Sequence, residues 1–124
     1  MTAPNIVNVA TINGKTALTA LSSATAGSVL ANGASSNKVL KLAGVLATNT
    51  SGSSSVTASF DLYITRGGVD YYLAKEVPIP ALSVYEAFLK DGTPVYLEEG
   101  DTLYAKSDNA SGYLHVMVAY EDIS

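Results

Sequence analysis

One histidine is the clearest candidate for acid–base chemistry in this sequence. His115 is the single imidazole of the chain, and acyl transfer would require it in a cleft, beside a nucleophile and oriented by a carboxylate. It stands instead between Leu114 and Val116, on the opposite parity to these apolar positions, and no nucleophile-elbow sequence accompanies it. We therefore predict that His115, with Met117 on the same face, is a surface or subunit-contact residue.

Three carboxylates, Glu98, Glu99 and Asp101, are the second candidate for chemistry. They could supply a hydrolase pair or oxygen ligands for calcium. A glycosidase pair, however, includes a buried carboxyl group whose pKa is raised, and a calcium loop places its ligands at alternating positions. The cluster lies in a polar turn without these properties, so we expect it to be solvated. The sequence predicts no enzyme, no catalytic residue, no metal site and no cofactor.

Tyrosine is the remaining residue type with binding potential, and the chain contains eight. Tyr63 interrupts an otherwise small and polar strand face, and Tyr72 lies opposite its apolar neighbours by parity. Outward-facing tyrosines form carbohydrate platforms or subunit contacts because the ring is large, stiff and amphipathic. We predict an interaction surface at Tyr63 and Tyr72, followed by the face that carries His115 and Met117.

Composition argues against several classes of function. A chain of 124 residues suits a single domain, 1–124, which at this size buries roughly two-thirds of its unfolded surface. There is no cysteine, and seven basic against eleven acidic residues give a net charge of −4. Nucleic-acid binding needs clustered positive charge, which the scattered lysines and one arginine do not supply. No apolar run approaches the roughly 20 residues of a membrane helix.

Alternation of apolar and polar residues predicts β-strands along most of the chain. Residues 55–65, 69–77 and 114–120 show a period of two, which is typical of half-buried strands. The Arg-Gly-Gly turn at 66–68 predicts a hairpin between the first two.

Two further hairpins are predicted from turn signals. Residues 6–12 and 15–21 flank an Asn-Gly pair at 13–14, the strongest short hairpin signal. Residues 93–97 and 102–106 flank the carboxylate turn and form the other candidate hairpin.

Three segments are less regular. Residues 39–48 predict a strand that is covered on both faces or bent at Gly44. Residues 16–26 are rich in alanine, which favours helix, but they also suit a strand. Residues 82–90 leave the same choice open between a short helix and a strand.

These elements predict an all-β fold, an antiparallel β-sandwich of jelly-roll type with about eight or nine short strands. The strand order does not follow from the sequence. Residues 1–38 are predicted to be an extended segment of the domain or one that becomes ordered on assembly, since residues 27–37 are rich in Gly, Ser and Asn.

Three motifs resemble those of a known group of proteins. They are Val-Pro-Ile-Pro at 77–80, Thr-Pro-Val-Tyr-Leu-Glu-Glu-Gly-Asp-Thr-Leu at 93–103, and the alternating strand with its acidic end at 114–123. Together with residues 5–21, they resemble small virion structural proteins of tailed bacteriophages, particularly those of cyanophages. Residues 82–90 depart from the aliphatic strand expected after the prolines.

The resemblance implies a copy-rich component of a virion, made in the cytoplasm of a host bacterium. The expected role is a capsid decoration or cement protein, with a tail, neck, baseplate or fibre subunit as the alternative. Expected partners are further copies of the chain, with a trimer as one arrangement, and the major capsid protein or other virion proteins. A carbohydrate-binding module with a host glycan as ligand is the remaining alternative. No nucleic acid or membrane partner is expected.

Overall fold

The computed structural model describes residues 9–21, 25–52, 57–86, 95–108 and 113–124. These ranges contain nine β-strands and no helix, and thus no helix long and apolar enough to cross a membrane. The strands are β1 (Ile12–Leu21), β2 (Gly27–Ala31), β3 (Val39–Asn49), β4 (Thr57–Arg66), β5 (Val69–Pro80), β6 (Val84–Glu86), β7 (Val95–Leu97), β8 (Thr102–Ser107) and β9 (Leu114–Ile123).

The strands form two antiparallel sheets that pack face to face. The first sheet has the order β1-β9-β3, with both β6 and β7 on the far side of β3; the second has the order β2-β8-β4-β5. β6 pairs with one half of β3 and β7 with the other, so together they act as one interrupted strand. If β6 and β7 are counted as one strand, the described ranges form eight strands in four nested pairs. β1 pairs with β9, β2 with β8, β3 with β6 and β7, and β4 with β5. This nested pairing is the topology of a jelly roll, and it confirms the predicted fold class.

The core lies between the two sheets and comes mainly from four central strands. β4 contributes Phe60 and Leu62, and β9 contributes Val116 and Val118, all of them buried. β3 and β8 supply further buried leucine, valine and alanine side chains. Full burial of a leucine, valine or phenylalanine side chain stabilises a fold by about 1.5–3 kcal/mol, so these alternating positions hold the sheets together.

The predicted β4–β5 hairpin is confirmed. Arg66 pairs with Val69, and the two residues between them, Gly67 and Gly68, have φ angles of 61° and 79°. Two consecutive residues with positive φ are what a two-residue turn of the favoured handedness requires. Glycine adopts this conformation without the steric cost of a Cβ atom.

The predicted hairpin at the Asn-Gly pair is wrong. β1 runs through positions 13 and 14 without turning, and it pairs with β9 from Ile12 opposite Ile123 to Leu21 opposite Leu114. Ten consecutive pairs with a long partner strand outweigh a local preference for a turn. Residues 6–8 lie outside the described ranges.

The second predicted hairpin, across the carboxylate turn, is also wrong. β7 pairs with β3 in the first sheet, whereas β8 pairs with β2 and β4 in the second. The turn at 98–101 therefore passes from one sheet to the other. Sequence alternation identified both strands but carried no information on which sheet each would join.

Where the structure describes the two segments that left helix and strand open, it shows strand or irregular backbone, with residues 25–26 and 82–83 outside any strand. Residues 16–21 belong to β1 and residues 84–86 form β6, while residues 22–24 and 87–90 lie outside the described ranges. β3 shows a register shift against β9 between Leu42 and Gly44, so the strand is irregular where the glycine predicted a bend. β1 and β2, which fall within residues 1–38, join the two sheets.

A buried carboxylate connects β1 and β9 to the segment before β3. Asp122 Oδ2 accepts hydrogen bonds from Lys15 Nζ at 2.9 Å and Lys38 Nζ at 3.1 Å. Burial of Asp122 opposes its ionisation, but the hydrogen bonds and charges of the two lysines outweigh burial and hold its pKa below the ordinary value of 3.8. The carboxylate is therefore ionised in the folded protein and ties three parts of the first sheet together.

We expect Asp122→Asn to lower the free energy of unfolding by about 1–3 kcal/mol at neutral pH, because hydrogen bonds to a charged group are lost. A lowered pKa in the folded state gives stabilisation that is present above pH 3.8 and is lost as the pH falls through the folded-state pKa. Urea denaturation between neutral pH and pH ~2.5 measures this. The gap between wild type and variant should close in acid.

The matched control is Glu121→Gln. Glu121 pairs with Lys41 at 3.9 Å, and both side chains are exposed, so its loss should cost less than about 1 kcal/mol. Equal costs for the two variants, or a gap for Asp122→Asn that does not change with pH, would contradict the assigned role of Asp122.

Candidate interaction surfaces

Three tyrosines form a row across the outer face of the second sheet. Tyr63 of β4 lies directly opposite Tyr72 of β5 and Tyr104 of β8. The ring centroids are 4.9 Å apart for Tyr63 and Tyr72 and 5.4 Å apart for Tyr63 and Tyr104. We call these three residues the tyrosine row. Cross-strand aromatic pairs of this kind stabilise the sheet on which they lie.

Two irregularities in the β4–β5 ladder determine the members of the row. Phe60 pairs with Val77, so regular pairing would place Tyr63 opposite residue 74; two register shifts instead bring Tyr72 to that position. Asp61 supports the irregular backbone by accepting a hydrogen bond from the Glu76 N–H at 2.6 Å, where Glu76 has a φ of 50°. The sequence pattern did not reveal these bulges.

Only part of the tyrosine row is open to solvent. Tyr63 is 9% exposed and Tyr72 is 44% exposed. Burial, followed by the charge of Asp70, raises the pKa of Tyr63 above its ordinary value, so its hydroxyl group remains protonated at neutral pH. Tyr72 contacts Tyr63, and Lys75 Nζ lies 4.3 Å from the Tyr72 ring centroid. A sugar stacks on a free aromatic face, which the buried Tyr63 does not offer and which Tyr72 offers only in part, because Tyr63 and Lys75 contact its ring.

The other predicted pair lies on the outer face of the first sheet. His115 and Met117 alternate with buried residues of β9, and His115 is exposed as predicted. Met117 stands opposite Leu18 of β1 and Leu46 of β3. A shallow groove of about 330 Å³ borders this place, with Leu18, His115 and Met117 in its lining. The structure therefore separates the predicted residues into two surfaces, one on each sheet.

The carboxylate turn is not uniformly solvated, and that prediction is wrong for Asp101. Its side chain is buried, and its carboxylate accepts hydrogen bonds from Arg66 Nε at 2.8 Å, from Arg66 Nη2, and from the Glu98 N–H at 2.8 Å. The hydrogen bond to Asp101 is the main cause that raises the pKa of Arg66 above its usual range. Glu98 Oε2 lies 3.0 Å from the same guanidinium but is largely exposed. Asp101 thus anchors the sheet-to-sheet turn to the β4–β5 hairpin.

A second cleft was not predicted from the sequence, because residues from both sheets line it. It has a volume of about 470 Å³ and is bordered by Ile64, Arg66 and Tyr71 of the second sheet and by Val95, Tyr96 and Glu98 on the side of β7. The exposed Tyr71 and the Arg66–Glu98 ion pair form the polar rim of this cleft. No spacing in the sequence brings these residues together.

The described residues contain no group of three or more His, Asp or Glu side chains that could hold a metal ion. Their polar side chains mostly serve the fold. Asn32, for example, is buried after β2 and donates hydrogen bonds to the carbonyl oxygens of Lys38 and Leu97, each at 2.9 Å. Asn49, at the end of β3, donates to the carbonyl oxygen of Ile79 at 2.9 Å.

The fold and these surfaces define the chain as a β-sandwich with jelly-roll topology, and comparison with known proteins gives only distant similarity. No protein-family model matches the chain, and no curated protein matches its sequence. Two solved structures, each described as a pentameric capsid protein isolated from metagenomic phage sequences, align with 98% of this chain at 19% identity and TM-scores of 0.38 and 0.37. The chain covers 65% and 64% of their lengths, just under two-thirds. Similarity at this level carries no conclusion about function.

We expect Asp101→Asn to lower the free energy of unfolding by about 3 kcal/mol, because Asp101 is 1% exposed and its charged hydrogen bonds are lost. Glu98→Gln is the matched control: it touches the same guanidinium, but its side chain is 62% exposed, so the expected cost is below about 1 kcal/mol. Chemical denaturation measures both. Similar costs for the two variants would show that burial of Asp101 does not set its importance.

Within the tyrosine row, we expect Tyr63→Ala to destabilise the fold by about 3 kcal/mol and Tyr72→Ala by clearly less, because Tyr72 is more exposed. Thermal and urea denaturation would rank the two variants. A glycan-binding screen of the wild type and Tyr72→Ala gives the second readout. Binding that is lost in Tyr72→Ala would contradict our interpretation that the occupied rings are structural.

Proposed function

We propose that the chain is a non-enzymatic structural subunit of a bacteriophage virion. The observation that carries the proposal is how the described side chains are used. The buried carboxylates Asp101 and Asp122 are bound to Arg66 and to Lys15 and Lys38, whereas several large apolar side chains are exposed: Ile12, Leu18, Val69, Tyr71, Tyr72, Leu82, Val84 and Tyr113. Exposed apolar surface favours contacts with other proteins where it is contiguous, as it is where Leu18 borders the mainly apolar groove beside Met117.

The finer proposal is a capsid decoration or cement subunit in the virion, synthesised in the cytoplasm of the host bacterium. Support comes from the sequence resemblance at 77–80, 93–103 and 114–123 and from the jelly-roll topology, which recurs in viral capsid proteins. A lattice component works through many repeated contacts, because each added contact is effectively intramolecular and raises the total affinity. Further copies of the chain, in a trimer or another symmetric assembly, and the major capsid protein are the proposed partners.

A tail, neck, baseplate or fibre subunit is the alternative within the same class. The fold suits these positions equally, and copy number distinguishes them. The carbohydrate-binding alternative has less support, because Tyr63 is buried and the ring of Tyr72 is partly covered by Tyr63 and Lys75.

The test is quantitative mass spectrometry of purified particles of the phage that encodes the chain. We expect hundreds of copies per particle, in a fixed ratio to the major shell protein. A few dozen copies or fewer would instead favour a subunit of the neck, tail or fibre. Absence of the chain from intact particles, with the chain present in the infected cell, would contradict a virion role altogether.

A further inference from the structure

The free edge of β1 differs from the other sheet edges in the described part of the chain. β1 contains ten residues and pairs with β9 throughout its length without a register shift. It contains no proline, and its only charged residue is Lys15. Among the described strands, none pairs with its other edge. β1 therefore presents a long, regular row of backbone donors and acceptors.

The other edge strands carry features that hinder pairing with another chain. β2 has five residues and a register shift, and β6 and β7 have three residues each. β5 is long but contains two register shifts in its ladder and two prolines, Pro78 and Pro80. Short strands, bulges, proline and charged side chains, lysine above all, are means by which natural sheets avoid edge-to-edge association. Of these features β1 has only Lys15, whose charge is paired with Asp122.

The side chains of β1 are also open to contact. Seven of its ten residues are exposed, and only Leu21 is buried. Leu18, on the outer face, is 76% exposed. The strand is held chiefly by its ladder to β9, and a partner strand on the free edge would cover both the backbone and these side chains.

The outer face of β1 carries both a projecting side chain and a recess. Leu18 projects beside the groove of about 330 Å³ that Ala20, His115 and Met117 help to line. A two-fold interface uses one surface twice, so the surface must be complementary to itself. A projecting leucine next to an apolar groove meets that requirement.

The charges of β1 are compatible with pairing between β1 strands of two copies of the chain. Lys15 Nζ is bound to Asp122 at 2.9 Å, and residues 16–21 carry no charge. In an antiparallel pair centred on residue 18, Lys15 would stand opposite Leu21 of the second copy, because paired residue numbers then sum to 36. No like charges would face each other along the paired strands.

We propose that the free edge of β1 pairs antiparallel with β1 of a second copy of this chain, which joins the first sheets of two subunits and places Leu18 of each opposite Leu18 of the other, beside the two apolar grooves. This form of strand addition gains affinity from backbone hydrogen bonds and specificity from side chains in adjacent recesses. The proposal depends on the edge itself and not on a virion role.

The test is sedimentation equilibrium of the full chain over a range of concentrations. The wild type dimerises, and Leu18→Lys weakens the association at least tenfold by placing a charge in the contact. Leu82→Lys is the matched control, since Leu82 is also 76% exposed but lies between β5 and β6, and it leaves the association unchanged. Ala20→Lys, from the same groove, gives an independent variant if Leu18→Lys does not fold.

Amide hydrogen exchange at low and high protein concentration locates the contact. Residues 12–21 gain protection on dimerisation, and residues 69–80 of β5 do not. Several outcomes would overturn the proposal: a wild type that remains monomeric at every concentration, equal association of the wild type and both groove variants, or loss of association in Leu82→Lys alone. A monomer in which the amides on the free edge of β1 are already protected, in addition to those bonded to β9, would assign the edge to another segment of the same chain, and the proposal would then be wrong.

Discussion

The apolar layer shared by β3 and β9 of one sheet and β4 and β8 of the other is the interaction on which the rest of this structure depends. Phe60, Leu62, Val116 and Val118 are buried there, and each strand in the layer is also paired on both sides. The edge strands add few residues to this core, among them Val29, Ile79 and Leu97. β1 contributes Leu21 as its one buried residue, so most of its side chains are open to contacts with other chains.

The nested strand order imposes a second requirement, because the chain must cross repeatedly between the sheets. Polar side chains that would otherwise be costly to bury stabilise the crossings. Asp101 fixes the turn from β7 to β8 through Arg66, Asn32 holds the end of β2 to Leu97, and Asn49 holds the end of β3 to Ile79. These hydrogen bonds commit buried polar side chains to maintaining the architecture.

Local alternation in the sequence predicted what is local in the structure: the long strands, the Arg-Gly-Gly hairpin, the irregularity near Gly44 and the exposure of His115. It failed where distant residues decide the outcome. The Asn-Gly pair did not turn, because β9 offers ten paired positions, and the carboxylate turn joins two sheets rather than two neighbours in one. The burial of Asp101 depends on its ion pair with Arg66, and the stacking of Tyr63 on Tyr72 depends on the bulges of β5. Residue spacing in the sequence reveals neither the ion pair nor the bulges. Whether Tyr63, Tyr72, His115 and Met117 bind a partner stays a prediction.

Buried polar groups maintain the fold of this chain, and exposed apolar side chains are available for the assembly that we propose. A cryo-electron microscopy reconstruction of purified particles of the encoding phage, at side-chain resolution, is the sharpest test of the proposed virion role. We expect density for the jelly roll, repeated by the symmetry of the particle, with its exposed apolar side chains in contact with neighbouring subunits. A complete reconstruction in which other chains explain all of the density would contradict that role.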